Sequence, residues 1–178
     1  MTYTIKTVRV QQYRSFRDET DLHLARLTLL YGINNSGKSA LARLMPWISD
    51  SLASRQGSGL NIRSKSLFSA GFRQIRWAGG VTDDVAPQLS ITLEYNESCW
   101  IKIGVRWFEE WSTPLVTEFS ASFEGNYVEA QWVSKREERH TAARTFRAVS
   151  GEGAAPSEIM VRFEGPMPLS AELPWLEA

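Results

Sequence analysis

The sequence predicts an α/β protein of α+β character: a strand, loop and helix in its first third, then a large antiparallel β-subdomain. Three observations carry that expectation. The apolar run LTLLY at 27–31 ends abruptly in GINNSGKS, the apolar residues after it fall at helical spacing, and beyond residue 87 stretch after stretch alternates apolar and polar. At 178 residues the chain suits one domain with a proper core.

Taken in order, Ile5, Val8 and Val10 mark a first strand and DLHL at 21–24 a second, and LTLLY has the length of a buried third. GINNSG breaks the pattern with two glycines and two asparagines. Leu41, Leu44, Met45, Ile48 and Leu52 then form one helical stripe, with Pro46 expected to kink or end the helix near its second turn. Residues 56–87 read as a loop-rich basic segment. The window from Arg55 to Arg76 also holds Arg63, Lys65 and Arg73, contains no acidic residue, and interleaves Phe72. Strands are expected at 88–95, 99–107, 115–124, 127–134, 145–150 and 158–165, within a β-subdomain spanning 88–165. The division is therefore 1–55 for the loop-helix core, 56–87, 88–165, and an extended, proline-bearing tail at 166–178.

Composition bounds the partners. Twenty basic residues balance twenty acidic ones, so no net field draws the chain to nucleic acid or to an anionic membrane. Cys99, the single cysteine, rules out an intrachain disulfide and reads as a small apolar residue. Without a signal-like N-terminus or an apolar run of membrane length, the reading is cytoplasmic, with no membrane partner.

GINNSGKS matches the spacing G-x-x-x-x-G-K-[ST], which is specific because each position has a physical task. A strand must stop, a loop must turn its N–H groups inward, and the positive end of a helix must meet the phosphates. Gly32 and Gly37 allow close backbone approach, Asn34, Asn35, Ser36 and Ala40 contribute backbone around the anion, and Lys38 reaches the outer phosphates. Ser39 supplies a hydroxyl to Mg²⁺. ATP with Mg²⁺ is the expected ligand pair.

Residues 8–45, VRVQQYRSFRDETDLHLARLTLLYGINNSGKSALARLM, resemble the opening of ABC-type P-loop ATPases of the SMC, RecF and OLD-like lineage, among the AAA-type ATP-binding proteins. The YRSF turn at 13–16 carries the resemblance together with the phosphate loop. What it implies is an ABC-type half-lobe in which Arg14 contacts the nucleotide. By the same comparison Gln74, in FRQIRWAGG, is the better candidate for a γ-phosphate sensor, with Gln131 second. The lineage also implies a signature loop, an apolar run closed by Asp (Walker B), an adjacent Glu and a switch histidine. SGEG at 150–153 precedes a strand and not a helix, Arg162 interrupts IMVRFE, and neither His23 nor His140 suits the switch.

The resemblance therefore implies an ATP-binding lobe, a fragment or split subunit. It would turn over ATP only with a C-terminal lobe or second subunit carrying Walker B and signature motifs, in the setting of DNA repair or phage defence. A different class of reading is a non-catalytic nucleic-acid-binding or interaction module with a vestigial P-loop, in which the basic window meets DNA. A small self-sufficient kinase fits poorly, because its lid helices are replaced here by antiparallel strands.

Overall fold

The computed structural model describes residues 4–54, 59–68, 70–79, 87–133, 143–151 and 154–169. Nine strands among them form a single sheet: β1 (Thr7–Gln11), β2 (Thr20–His23), β3 (Leu89–Asn96), β4 (Cys99–Phe108), β5 (Thr113–Phe123), β6 (Asn126–Trp132), β7 (Ala143–Ser150), β8 (Ser157–Glu164) and β9 (Met167–Leu169). Their order is β2-β1-β3-β4-β5-β6-β7-β8-β9, and every neighbouring pair is antiparallel. Two helices accompany the sheet, α1 (Lys38–Ala53) and the single-turn α2 (Phe72–Ile75).

Register converts the period-2 pattern into one apolar face. Leu22, Val8, Leu93, Ile101, Ala121 and Val128 stand side by side across β2, β1, β3, β4, β5 and β6. The next row joins Val10, Ile91, Ile103, Phe119, Ala130 and Ala148. All twelve of these side chains are buried. On the opposite face Arg9 bonds Asp21 at 3.1 Å and Glu94 at 2.7 Å, so the polar rows end in paired charges and not in core.

Helix α1 covers the apolar face with Leu44, Trp47 and Ile48. The chain after it folds back along the helix, where Trp47 Nε1 donates to the Asn61 carbonyl at 2.9 Å and the Asn61 N–H donates to Ser51 Oγ at 3.1 Å. The sheet curls far enough for its last turn to reach the same helix. Gly165, at φ 60, lies so close to the Ser51 and Ser54 carbonyls that a Cβ there would meet both. Phe119, Phe146 and Phe163 fill the curve, with Phe146 at 5.5 Å from each of the other two rings.

Several expectations need correction. The fold is predominantly antiparallel β and is not an α/β, ABC-type P-loop half-lobe. The physical reason lies at 27–31, which bends at Leu27 and pairs with no strand among the described residues, so the strand expected before the loop is not formed. Without it there is no parallel layer for helices to flank. Pro46 does not end its helix either: α1 continues through it to Ala53, with Pro46 on the exposed side. The charged link at 134–142, residues 55–58, 152–153 and the tail beyond 169 lie outside the described residues, as do His140 and Arg55.

Candidate functional site

The loop at 32–37 is shaped by backbone conformations that few side chains tolerate. Gly32 has φ 151, Asn35 φ 66 and Gly37 φ 88, and Gly37 is the N-cap of α1. Glycine at 37 answers two demands, because a Cβ there would also collide with the Phe16 ring and Ser15 Oγ. The YRSF turn and the phosphate-type loop are therefore in direct contact. That turn closes on itself, with the Tyr13 N–H donating to the Phe16 carbonyl and the Phe16 N–H to the Tyr13 carbonyl, both at 2.8 Å.

Lys38 folds back over the loop. Its ammonium donates to the Gly32 carbonyl at 2.7 Å and to the Ile33 carbonyl at 2.6 Å, which leaves one of its three donors for another acceptor. Arg14 enters from the other side. Its backbone sits in the left-handed region at φ 50, tied by its N–H to the Ile75 carbonyl at 2.7 Å. Nε and Nη2 of its guanidinium are buried and have no hydrogen-bond partner among the described residues. Arg14, Ser15, Asn34, Gly37, Lys38 and Ser39 line a cavity of about 680 Å³, together with Asn35 and Ala40.

Two supports hold this arrangement. The buried Tyr13 hydroxyl donates to the Ala40 carbonyl at 3.0 Å and its ring stacks on Trp47 at 5.9 Å, fixing the turn to the first turns of α1. Burial pushes the Tyr13 hydroxyl above its ordinary ionisation range, while the neighbouring Arg14 and Arg43 charges pull the other way. At the C-terminal side of α1, Asp50 Oδ2 accepts from the Ser64 and Ser66 hydroxyls, and both bonds hold its carboxyl below the usual range.

The residues expected at the site divide clearly. Arg14, Asn34, Asn35, Gly37, Lys38, Ser39 and Ala40 come together at the cavity, and Gly32 and Ser36 complete the loop beside it. Gln74 does not join them: it sits in α2, where Oε1 accepts from the Gly71 N–H at 2.8 Å. Gln131 lies in β6, opposite Glu118 and Arg147. Of the basic window, Arg73 is paired with Glu109, and Phe72 is buried against Trp107 at 5.8 Å. Sequence reasoning passed over Phe68, which is exposed by 71% and faces Arg43 at 4.3 Å.

Fit to the expected ligand is supported by the donor set. Two cations, a loop with left-handed residues and the N-terminal end of a 16-residue helix face the cavity, and among the described residues no carboxylate lines it. A polyanion suits these donors. A Mg²⁺ ion arriving with such a polyanion would find the Ser39 hydroxyl among the lining residues, its other ligands coming from phosphate oxygens and water.

No protein-family model matches the chain, and no curated protein matches it. The resemblance of residues 8–45 to the SMC, RecF and OLD-like ATPases thus has no family or homologue behind it, and the nine-stranded antiparallel sheet contradicts it. The labels P-loop NTPase, ABC ATPase and AAA ATPase do not describe this chain. Among the described residues, no helix is long and apolar enough to cross a membrane.

Proposed function

We propose that this chain is a nucleotide-binding polypeptide that takes the phosphates of ATP, with Mg²⁺, in the cradle at 32–39, and that cleavage requires a second polypeptide. The observation carrying this reading is the convergence on one cavity, at the N-terminus of α1, of Lys38 and of Arg14, two of whose guanidinium nitrogens have no hydrogen-bond partner among the described residues. Charge-assisted bonds of this kind are the strong ones, and a helix N-terminus adds a favourable field for an anion.

The case for a second polypeptide rests on chemistry and on an open surface. Phosphoryl transfer depends on placing the attacking water and holding the metal. Among the described residues no carboxylate lines this cavity to do either. Beside it, Leu27, Leu29, Tyr31 and Ile33 alternate along the chain and are exposed by 75%, 60%, 84% and 82%. No charged residue lies between Leu27 and Gly37, so these four apolar side chains stand exposed with only uncharged residues between them along the chain. An exposed apolar stretch whose backbone pairs with no strand among the described residues can serve as a template for pairing with another chain.

Equilibrium titration of the full chain with ATP and Mg²⁺ tests the cradle. Lys38→Ala should weaken binding at least tenfold, the loss expected for a hydrogen bond to a charged group. Equal binding by both proteins would remove the reading. Release of phosphate by the chain alone, at a steady rate, would remove the requirement for a partner while leaving the cradle intact.

A further inference from the structure

A second concave surface lies away from the phosphate cradle, on the chain that folds back along α1. Ile62, Arg63, Ser64, Lys65 and Phe68 line a hollow of about 480 Å³. Phe68 closes the short 3-10 turn at Lys65–Leu67 in a left-handed conformation, φ 54, which a bulky side chain seldom adopts. That conformation leaves the ring 71% exposed, while its neighbour Leu67 is buried at 1% and anchors the turn. The Arg43 guanidinium lies over the ring at 4.3 Å, and Arg63 and Lys65 are exposed beside it. The carboxylate that reaches this turn, Asp50, is already engaged by the Ser64 and Ser66 hydroxyls.

We infer that this surface binds single-stranded nucleic acid, with a base stacked on Phe68 and backbone phosphates on Arg63 and Lys65. Cations alone would suit any polyanion. The ring decides between classes, because a flat π face held out in solvent among guanidinium and ammonium groups matches a nucleobase better than an acidic peptide. An unpaired strand offers such a face, whereas a duplex buries its bases in the stack. The nucleotide cradle is not needed for this contact, since Arg14, Gly37 and Lys38 belong to a different cavity.

The test is fluorescence anisotropy of the full chain with a labelled oligothymidine of about 16 nucleotides, an upper value for the site size of a small single-strand-binding fold. Phe68→Ala should weaken binding roughly fivefold or more, the loss typical of one stacked base, and Phe68→Trp should retain it. Lys65→Gln should flatten the salt dependence by about 0.7 in the log-log slope, the share of one phosphate on a single strand. Lys38→Ala should leave the oligonucleotide titration unchanged. Circular dichroism on each variant checks that the fold is kept, and Phe68→Trp serves as a second readout if Phe68→Ala unfolds. Equal affinity for polyglutamate or for a duplex, insensitivity to Phe68→Ala in a folded protein, or loss of binding in Lys38→Ala would each overturn the assignment.

Discussion

At the scale of single residues, the molecule tolerates backbone conformations that only a few side chains can occupy. Gly37 is the clearest case. Alanine there would hold φ 88 and drive its methyl into Phe16, so Gly37→Ala should cost about 1–3 kcal/mol in chemical denaturation and should abolish ATP binding. Asp50 offers a test in pH. Its carboxyl is lowered from 3.8 by the Ser64 and Ser66 hydroxyls, so the folded state binds its proton less tightly than the unfolded chain does. The resulting stability is present above the ordinary value and fades as pH falls through the folded one. Asp50→Asn should therefore lower the thermal midpoint near neutrality, with the gap from wild type closing in strong acid. The turn at Gly37 was legible in the sequence, because a glycine between a loop and a helical stripe marks a backbone position with positive φ. The role of Phe68 was not, since only the turn geometry reveals that its ring points outward.

At the scale of elements, alternation served well wherever one face of a strand is buried. Segments β3 to β8 fall close to the stretches read from the sequence, because their apolar residues recur every second position and are inward-facing in register. The same logic failed at 27–31. An apolar run signals burial only if neighbours exist, and here the backbone has no adjoining strand. Pro46 misled in the opposite direction. A proline deprives α1 of one hydrogen bond, but Leu44, Trp47 and Ile48 on either side bury enough apolar surface to carry the helix through. Because Pro46 is exposed, Pro46→Ala should restore the missing donor without creating a cavity. The expected gain is about 1–2 kcal/mol, after allowing for the freer unfolded chain, and a denaturant midpoint would measure it. No rise would mean that the helix already bends around the ring without cost.

At the scale of the whole molecule, stability should be concentrated where the sheet curls around its phenylalanines. Phe146, fully buried against Phe119 and Phe163, is the place to probe it. Phe146→Ala should cost about 3–5 kcal/mol, and a loss below 1 kcal/mol in urea titration would show that the curve is not one cooperative core. The class of fold was the least legible feature. A loop motif and a helix suggested α/β, yet motifs describe a site while layers depend on which strands find partners. The topology has one consequence for how the polypeptide reaches this shape. From β4 to β9 every strand lies beside its immediate predecessor, so a growing chain can lay down that part of the sheet row by row as it emerges. Only β1 departs from that sequence: it must wait, with β2 at its flank, until β3 has been synthesised far downstream. Docking of that first hairpin is thus the strand pairing with the longest closure, and it brings the turn bearing Arg14 against the Ile75 carbonyl.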